Sequence, residues 1–179
     1  NMDWDYKNWA AIRNRVNPGK GFIFLSWDAE HILESVNQNV LYVDNQNCPT
    51  RLFHQLRQNE EFRRLFADRV QLHCFNAGVL TPRAAIARWQ KRAAEIDLAI
   101  IAESARWGDY RRDVHRYQQG GPFALYTKND HWLSEQSFLI DQYFPGRINT
   151  FINQLRQENL FPSVNAPLFL INDEEIIDS

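Results

Sequence analysis

Apolar and polar residues follow two different patterns along the chain, one before residue 31 and one after residue 50. Trp9 to Arg13 and Gly21 to Trp27 are two runs of β-prone residues near the start. Between them lies Asn17-Pro18-Gly19, a strong turn signal. The sequence therefore predicts a β-hairpin within residues 1–31.

Beyond a polar loop at 44–50, apolar residues recur at helical spacing and are separated by helix start and stop signals. The predicted helices cover 50–58, the segment from the cap Asn59 to the stop at 76–78, Thr81 to about Trp107, about 131–143, and 147–158. Residues 110–130 are predicted to form a loop, and Pro145-Gly146 to separate the last two helices. The predicted fold is mainly α with a small N-terminal β-hairpin.

A chain of 179 residues is long enough for one domain with a sizeable core. We place that domain at 1–172, with the hairpin at 1–31, the helical body at 50–160 and a frayed acidic tail at 173–179. The chain opens on Asn1-Met2 and close to its richest motif, so we expect an excised fragment with further sequence upstream.

Composition excludes several classes of function. The net charge of −2 argues against bulk affinity for nucleic acid, and no apolar run approaches the ~20 residues of a membrane span. No two of the five histidines lie three or four residues apart, which disfavours a histidine-rich zinc site. Cys48 and Cys74 fit no CxxC pattern; free buried thiols are favoured, and a disulfide is the alternative.

The first 28 residues contain a spacing that suits phosphoryl transfer. That reaction needs a carboxylate near the accepting hydroxyl and oxygen ligands that hold Mg²⁺ against the phosphates. Asp3 and Asn8 are five positions apart, as in the kinase pattern of an Asp followed by an Asn, and Asp28 follows the predicted hairpin. An antiparallel hairpin would bring Asn8 and Asp28 to one edge, with Asp3 facing the same pocket.

These motifs resemble those of a known protein family. "NMDWDYKNW" followed by "GFIFLSWDAEH" is similar to the catalytic strip of the CotH kinase family, atypical kinases named for a bacterial spore-coat protein. "LFHQLRQNEEFRRLFADRVQLHCFNAGVLTP", "EIDLAIIAESARWGD" and "NLFPSVNAPLF" resemble later segments of the family, so that the resemblance covers roughly Asn1 to Phe169. The fold it implies is the C-terminal lobe of an atypical protein-kinase-like fold.

The resemblance implies an ATP- and magnesium-dependent phosphotransferase that acts on serine-type hydroxyls of a protein substrate. Asp3 matches the catalytic Asp, and Asn8 and Asp28 match the magnesium ligands. Glu30 departs from the family, since many members have a second Asp there. Asp5 matches no fixed position, and we expect a solvated carboxylate.

The family's nucleotide-binding half, with the lysine that holds the phosphates, would precede Asn1, so no residue of this chain is assigned to ATP binding. We therefore expect the chain alone to be inactive and to need that N-terminal part as a partner. The bacterial relatives suggest an extracytoplasmic or cell-surface location.

Several structural alternatives compete with these functional interpretations. Asp3 could cap a helix or a turn near the terminus, and Asp28 could cap a helix that starts around Ala29. "ESARWGD" favours a buried Glu103–Arg106 pair with Asp109 near the same helix face, and a substrate-binding role for Arg106 is the second interpretation. The following tryptophans are expected to anchor the core: Trp89, Trp107 and Trp132.

Two other functions remain open at this point. The chain could be a non-catalytic binding or structural module of a larger bacterial surface protein. A weaker option is carbohydrate binding through exposed aromatic residues such as Tyr110, Tyr117 and Trp132.

Overall fold

The computed structural model describes residues 4–17, 19, 21–114, 122–164, 170–171 and 174–175. Within them the helices are α1 (Trp4–Lys7), α2 (Pro49–Leu56), α3 (Glu60–Cys74), α4 (Pro82–Trp107), α5 (Leu133–Phe138) and α6 (Phe144–Gln157). The strands are β1 (Trp9–Arg13), β2 (Phe22–Ser26), β3 (Leu170–Ile171) and β4 (Glu174–Glu175). Wider, π-helical turns cover Tyr110–Val114, Lys128–Trp132 and Leu139–Tyr143. The predicted class, mainly α with an N-terminal hairpin, is confirmed.

The hairpin pairs β1 with β2 in antiparallel register, from Trp9 opposite Ser26 to Arg13 opposite Phe22. All five residues of β2 and the last three of β1 are exposed. Successive residues of a strand point to opposite faces, so the exposed Phe24 and Leu25 show that both faces carry accessible apolar side chains. The described hairpin therefore contributes little to the core.

Local signals set the starts of the long helices as predicted. The side chain of Asn59 accepts a hydrogen bond from the Phe62 amide and so caps α3. Helix α4 begins at Pro82, whose missing amide proton is not needed in a first turn. Thr81 precedes it, but its side chain accepts no hydrogen bond from the helix; its hydroxyl donates to the Gly78 carbonyl at 2.8 Å.

The predicted break at Pro145-Gly146 is wrong. Helix α6 already begins at Phe144, and Pro145 and Gly146 lie in its first turn, where proline is tolerated. The π-helical turn Leu139–Tyr143 joins α5 to α6 directly. The wide turns at Tyr110–Val114 and Lys128–Trp132 likewise occupy part of the predicted loop, while 115–121 lie outside the described residues.

The predicted frayed tail is only partly described. Glu174–Glu175 pair antiparallel with Leu170–Ile171. The other residues of 173–179 lie outside the described part of the chain.

The core lies between α3 and α6 and is closed by the segment after α6. Ile152 and Leu155 of α6 pack with Val70 and Cys74 of α3, and Leu160 completes the cluster. Ile152 and Leu155 are three residues apart, so they lie on one side of the helix. Leu155 has no exposed surface, and burial of such side chains is the main stabilising contribution to the fold.

The long helix α4 is less buried than its apolar stripe suggests, since none of its residues is fully buried. Trp89 is half-buried, lies 5.9 Å from the Phe144 ring and donates to the Gln136 side chain at 2.6 Å. Trp107, predicted as a core anchor, is 46% exposed, so that prediction is wrong. Trp132 is half-buried.

Polar side chains of α6 hold the irregular segment that follows the hairpin. Arg147 donates to the Val36 carbonyl at 2.9 Å, and Gln154 donates to the Asn37 carbonyl at 3.1 Å. Gln154 is itself largely buried. Backbone carbonyls of the irregular segment are thereby satisfied without regular secondary structure. Among the described residues no helix is both long and apolar enough to span a bilayer.

We expect Leu155→Ala to lower the free energy of unfolding by about 2–5 kcal/mol, because it removes a fully buried side chain and leaves a cavity. The urea midpoint should fall at constant m-value. Leu98→Ala is the matched control, since Leu98 is 79% exposed and should change the free energy of unfolding by about 0.5 kcal/mol or less. Equal losses in the two variants would contradict this description of the core.

Gly108 is needed where the chain returns to the end of α4. The Tyr126 amide donates to the Gly108 carbonyl at 2.9 Å, and a Cβ at Gly108 would overlap the carbonyl oxygens of Tyr126 and Ser104.

Gly108→Ala should therefore destabilise the protein by about 1–3 kcal/mol, because the backbone must shift to admit the methyl group. Urea unfolding measures this change. Gly19→Ala is the control, since a Cβ there meets no atom within 4 Å. A Gly108→Ala variant as stable as the control would show that the return segment does not pack as described.

Candidate functional site

The open end of the hairpin is where the sequence places the candidate metal ligands. Trp9 pairs with Ser26, and the Trp27 amide donates to the Asn8 carbonyl at 3.2 Å, which extends the ladder by one step. Asn8 thus lies opposite Trp27, and Asp28 is the next residue along the chain. The structure therefore brings the backbones of Asn8 and Asp28 to the same edge of the hairpin, as predicted.

The two residues differ in environment. Asn8 is 5% exposed, whereas Asp28 is exposed. Asp28 has a φ of 52°, in the left-handed region that Asn and Asp tolerate better than most residues. No helix begins at Ala29 in the described chain, so the alternative role of Asp28 as a helix cap is wrong.

The strip contains two further candidate residues, Asp3 and Glu30. Asp3, the candidate catalytic residue, lies outside the described residues. Glu30 is exposed and approaches the His31 ring at 3.6 Å. In the described part of the chain no group of three or more His, Cys, Asp or Glu residues could hold a metal ion, so any cation at Asn8 and Asp28 would take its other ligands from elsewhere.

Asp5 is the residue that the sequence analysis misjudged. The expectation of a solvated carboxylate is wrong, because the residue is only 1% exposed. Its Oδ1 accepts from the Thr50 amide at 3.0 Å, and its Oδ2 accepts from the Thr50 hydroxyl at 2.5 Å and from the Asn45 side-chain amide at 2.8 Å. A buried carboxylate is costly unless such donors surround it. The buried Asp5 and Thr50, together with the exposed Asn45, form a hydrogen-bonded cluster that we call the Asp5 anchor.

The Asp5 anchor supplies the missing cap of α2. The residue at the cap position, Cys48, makes no side-chain hydrogen bond to the helix, and the first turn of α2 contains no acidic residue. Asp5 provides both the acceptor and the negative charge that a helix N-terminus favours. Among the described residues no ion pair reaches Asp5, so neutral donors and the helix end stabilise its charge.

The environment of the Asp5 anchor affects the pKa of the Cys48 thiol. Burial raises the pKa of the Cys48 thiol, and the nearby Asp5 carboxylate raises it further. Burial also raises the pKa of Cys74. Both cysteines are free, which confirms the favoured prediction, although Cys48 is only partly buried. A raised pKa keeps a thiol protonated and unreactive at neutral pH.

One sequence signal points to the anchor. A helix that opens on Cys-Pro, without a capping side chain, leaves its first amides in need of an acceptor. The identity of that acceptor could not be read from the sequence, because Asp5 lies 45 residues away from Thr50.

The "ESARWGD" motif also differs from its predicted structure. Glu103 and Arg106 are both exposed, so the expected buried pair is wrong. Arg106 instead lies over the Trp107 ring, 4.9 Å from its centre. Glu103 and Trp107 line a surface groove at the end of α4.

Comparisons of the chain with protein-family models, with curated proteins and with solved structures found no match. The resemblance to the CotH kinases therefore rests on the motifs quoted above.

We expect Asp5→Asn to lower the free energy of unfolding by about 1.5–3 kcal/mol, because an amide cannot accept all three hydrogen bonds and carries no charge. Hydrogen exchange at the Thr50 amide should accelerate. Asp68→Asn, at an exposed position of α3, is the matched control and should leave both quantities unchanged.

The same variant should lower the pKa of Cys48, because one of the two causes that raise it is removed. Alkylation of Cys48 should then begin at a lower pH, whereas the midpoint for Cys74 should stay fixed. An unchanged Thr50 exchange rate together with an unchanged Cys48 midpoint would contradict the Asp5 anchor.

Proposed function

We propose that the chain is the C-terminal, metal-binding part of an ATP- and magnesium-dependent protein kinase domain of the CotH type, with a serine-type hydroxyl as acceptor. The observation that carries the proposal is the hydrogen bond from the Trp27 amide to the Asn8 carbonyl, which aligns Asn8 with the residue before Asp28. An amide oxygen and a carboxylate at one edge are suitable ligands for Mg²⁺.

The proposed site has only two protein ligands for Mg²⁺, Asn8 and Asp28, and this small number suits Mg²⁺. Mg²⁺ in kinases is held by one or two protein side chains together with phosphate oxygens and water. The bound ion would neutralise charge on the ATP phosphates. Asn8 and Asp28 would hold it in place, and Asp3 would orient or deprotonate the acceptor hydroxyl.

The Asp5 anchor supports the site indirectly. Asp5 lies in α1, and Asn8 follows that helix immediately. Because Asp5 is bonded to Thr50 and Asn45, α1 is held against the start of α2. In this proposal Asp5 is a positioning residue that fixes the backbone from which Asn8 extends.

The exposed hairpin supports the need for a further part of the domain. A two-stranded hairpin is marginally stable by itself, and β2 here is exposed along its whole length. We propose that its apolar faces pack against the N-terminal, nucleotide-binding part of the same domain. The catalytic site would then be complete only in the combined protein. The resemblance to bacterial members of the family is what supports the further proposal of an extracytoplasmic location.

Paramagnetic Mn²⁺, used in place of Mg²⁺, tests the metal site in this chain. With ATP present, Mn²⁺ should broaden the amide signals of Asn8 and Asp28 selectively, and Asp28→Asn should weaken this effect at least about tenfold because it removes the charged ligand. Glu34→Gln is the matched control, since Glu34 is exposed and lies in the same segment. Broadening that is insensitive to Asp28→Asn would overturn the assignment.

In a longer natural protein that contains this chain, Asp28→Asn should also reduce phosphate transfer from ATP by about 100-fold or more, whereas Glu34→Gln should not. The 179-residue chain alone should transfer no phosphate, and turnover by it would contradict the proposed division of the site. Absence of nucleotide binding in the longer protein would favour the non-catalytic module instead.

A further inference from the structure

A second candidate site lies at the far end of α4. The last turns of this helix and the segment from Tyr126 to Glu135 enclose a groove of about 580 Å³. Its walls combine aromatic and acidic side chains: Glu103, Trp107, Tyr126, Asp130, Trp132 and Glu135.

Backbone and side-chain hydrogen bonds hold the walls of this groove in place. The Tyr126 amide donates to the Gly108 carbonyl, which fixes the returning segment against α4. The next residue, Thr127, donates its amide to Nδ1 of His131 at 3.1 Å and its hydroxyl to Asp130 at 2.8 Å. Nδ1 of His131 is thus a hydrogen-bond acceptor, and in that tautomer the ring carries its hydrogen on Nε2.

The charged residues that line the groove are all acidic. Glu103, Asp130 and Glu135 contribute carboxylates, and neither Lys nor Arg is among the lining residues. The Asp130 carboxylate already accepts from the Thr127 hydroxyl. Within the described residues Glu103 and Glu135 take part in no ion pair, and both are exposed, so they can accept hydrogen bonds from a ligand.

The tryptophans of the groove already bind cations of the chain itself. Arg106 lies 4.9 Å from the centre of the Trp107 ring, and Lys128 lies 5.9 Å from that of Trp132. Lys128 also pairs with Asp97 at 2.7 Å. Neither Arg106 nor Lys128 lines the groove, so the ring surfaces inside it remain available to another cation.

We propose that this groove binds the cationic side chain of a basic peptide segment, an arginine in the first instance. A guanidinium group would donate to Glu103 and Glu135 and stack on Trp107 or Trp132, and each of these contacts suits its planar, delocalised charge. Stacking alone would suit a sugar ring as well, but two carboxylates with no ion-pair partner in the described chain favour a positive ligand. This proposal does not depend on phosphotransfer at the hairpin.

The test uses two short peptides that differ only in charge. Acetyl-Gly-Arg-Gly-amide is titrated into the ¹⁵N-labelled chain, and the same peptide with citrulline in place of arginine is the neutral control. We expect the arginine peptide to shift the amide signals of Trp107, Tyr126 and Glu135, with a dissociation constant of ~1 mM. The citrulline peptide should bind at least about fivefold more weakly.

Variants then identify the carboxylates. Glu103→Gln and Glu135→Gln should each weaken the arginine peptide about threefold, as expected for exposed charge pairs. Glu95→Gln is the matched control on the same helix, since Glu95 pairs with Arg92 outside the groove. A rise to about 0.5 M salt should weaken binding further through screening.

Either of two results would overturn the proposal. Equal shifts with the arginine and citrulline peptides would show that charge is not recognised. Shifts of the same signals by methyl-glucoside, together with none by the arginine peptide, would identify a saccharide site instead. Unchanged far-ultraviolet circular dichroism of the variants would exclude unfolding as the cause of weaker binding.

Discussion

The buried carboxylate of Asp5 connects the two parts of this protein. The hairpin buries few of its own side chains, so it gains little from the hydrophobic core around Leu155. Thr50 and Asn45 instead bind Asp5 directly, with donors that satisfy a charge which would otherwise be very costly to bury. The same hydrogen bonds of Asp5 therefore hold α1 in position and cap α2. The geometry at Asn8, which follows α1, depends on them.

The helical body provides the rigid support for both candidate sites. Its core lies between α3 and α6, and polar side chains of α6 fix the irregular segment that leads from the hairpin to α2. The candidate sites themselves lie where elements end: at the open end of the hairpin and at the last turns of α4. Such positions combine a fixed backbone with accessible side chains such as Asp28 and Glu103, although Asn8 is buried.

The features predictable from sequence are those set by neighbouring residues. The turn signal in Asn17-Pro18-Gly19, the cap Asn59 and the helix start at Pro82 all act within a few positions, and the hairpin and helices that they predict are present. Asp5 could not be predicted, because its partner is 45 residues away and only the folded chain buries both. Spacing also misled at Glu103 and Arg106, since neighbours on a helix surface need not pair when solvent and an aromatic ring compete for the cation.

The position of Glu103 gives a physical reason for a cation at the end of α4. The carbonyl groups at the C-terminal end of a helix carry partial negative charge, so an acidic residue near that end is unfavourable. Arg106 lies in the last turn and offsets part of this charge, but it stacks on Trp107 and does not line the groove. Glu135, from the segment that returns past α4, adds a further carboxylate to the lining. A cation in the groove would relieve this accumulation of negative charge, and so ligand binding and the stability of the helix end should be coupled.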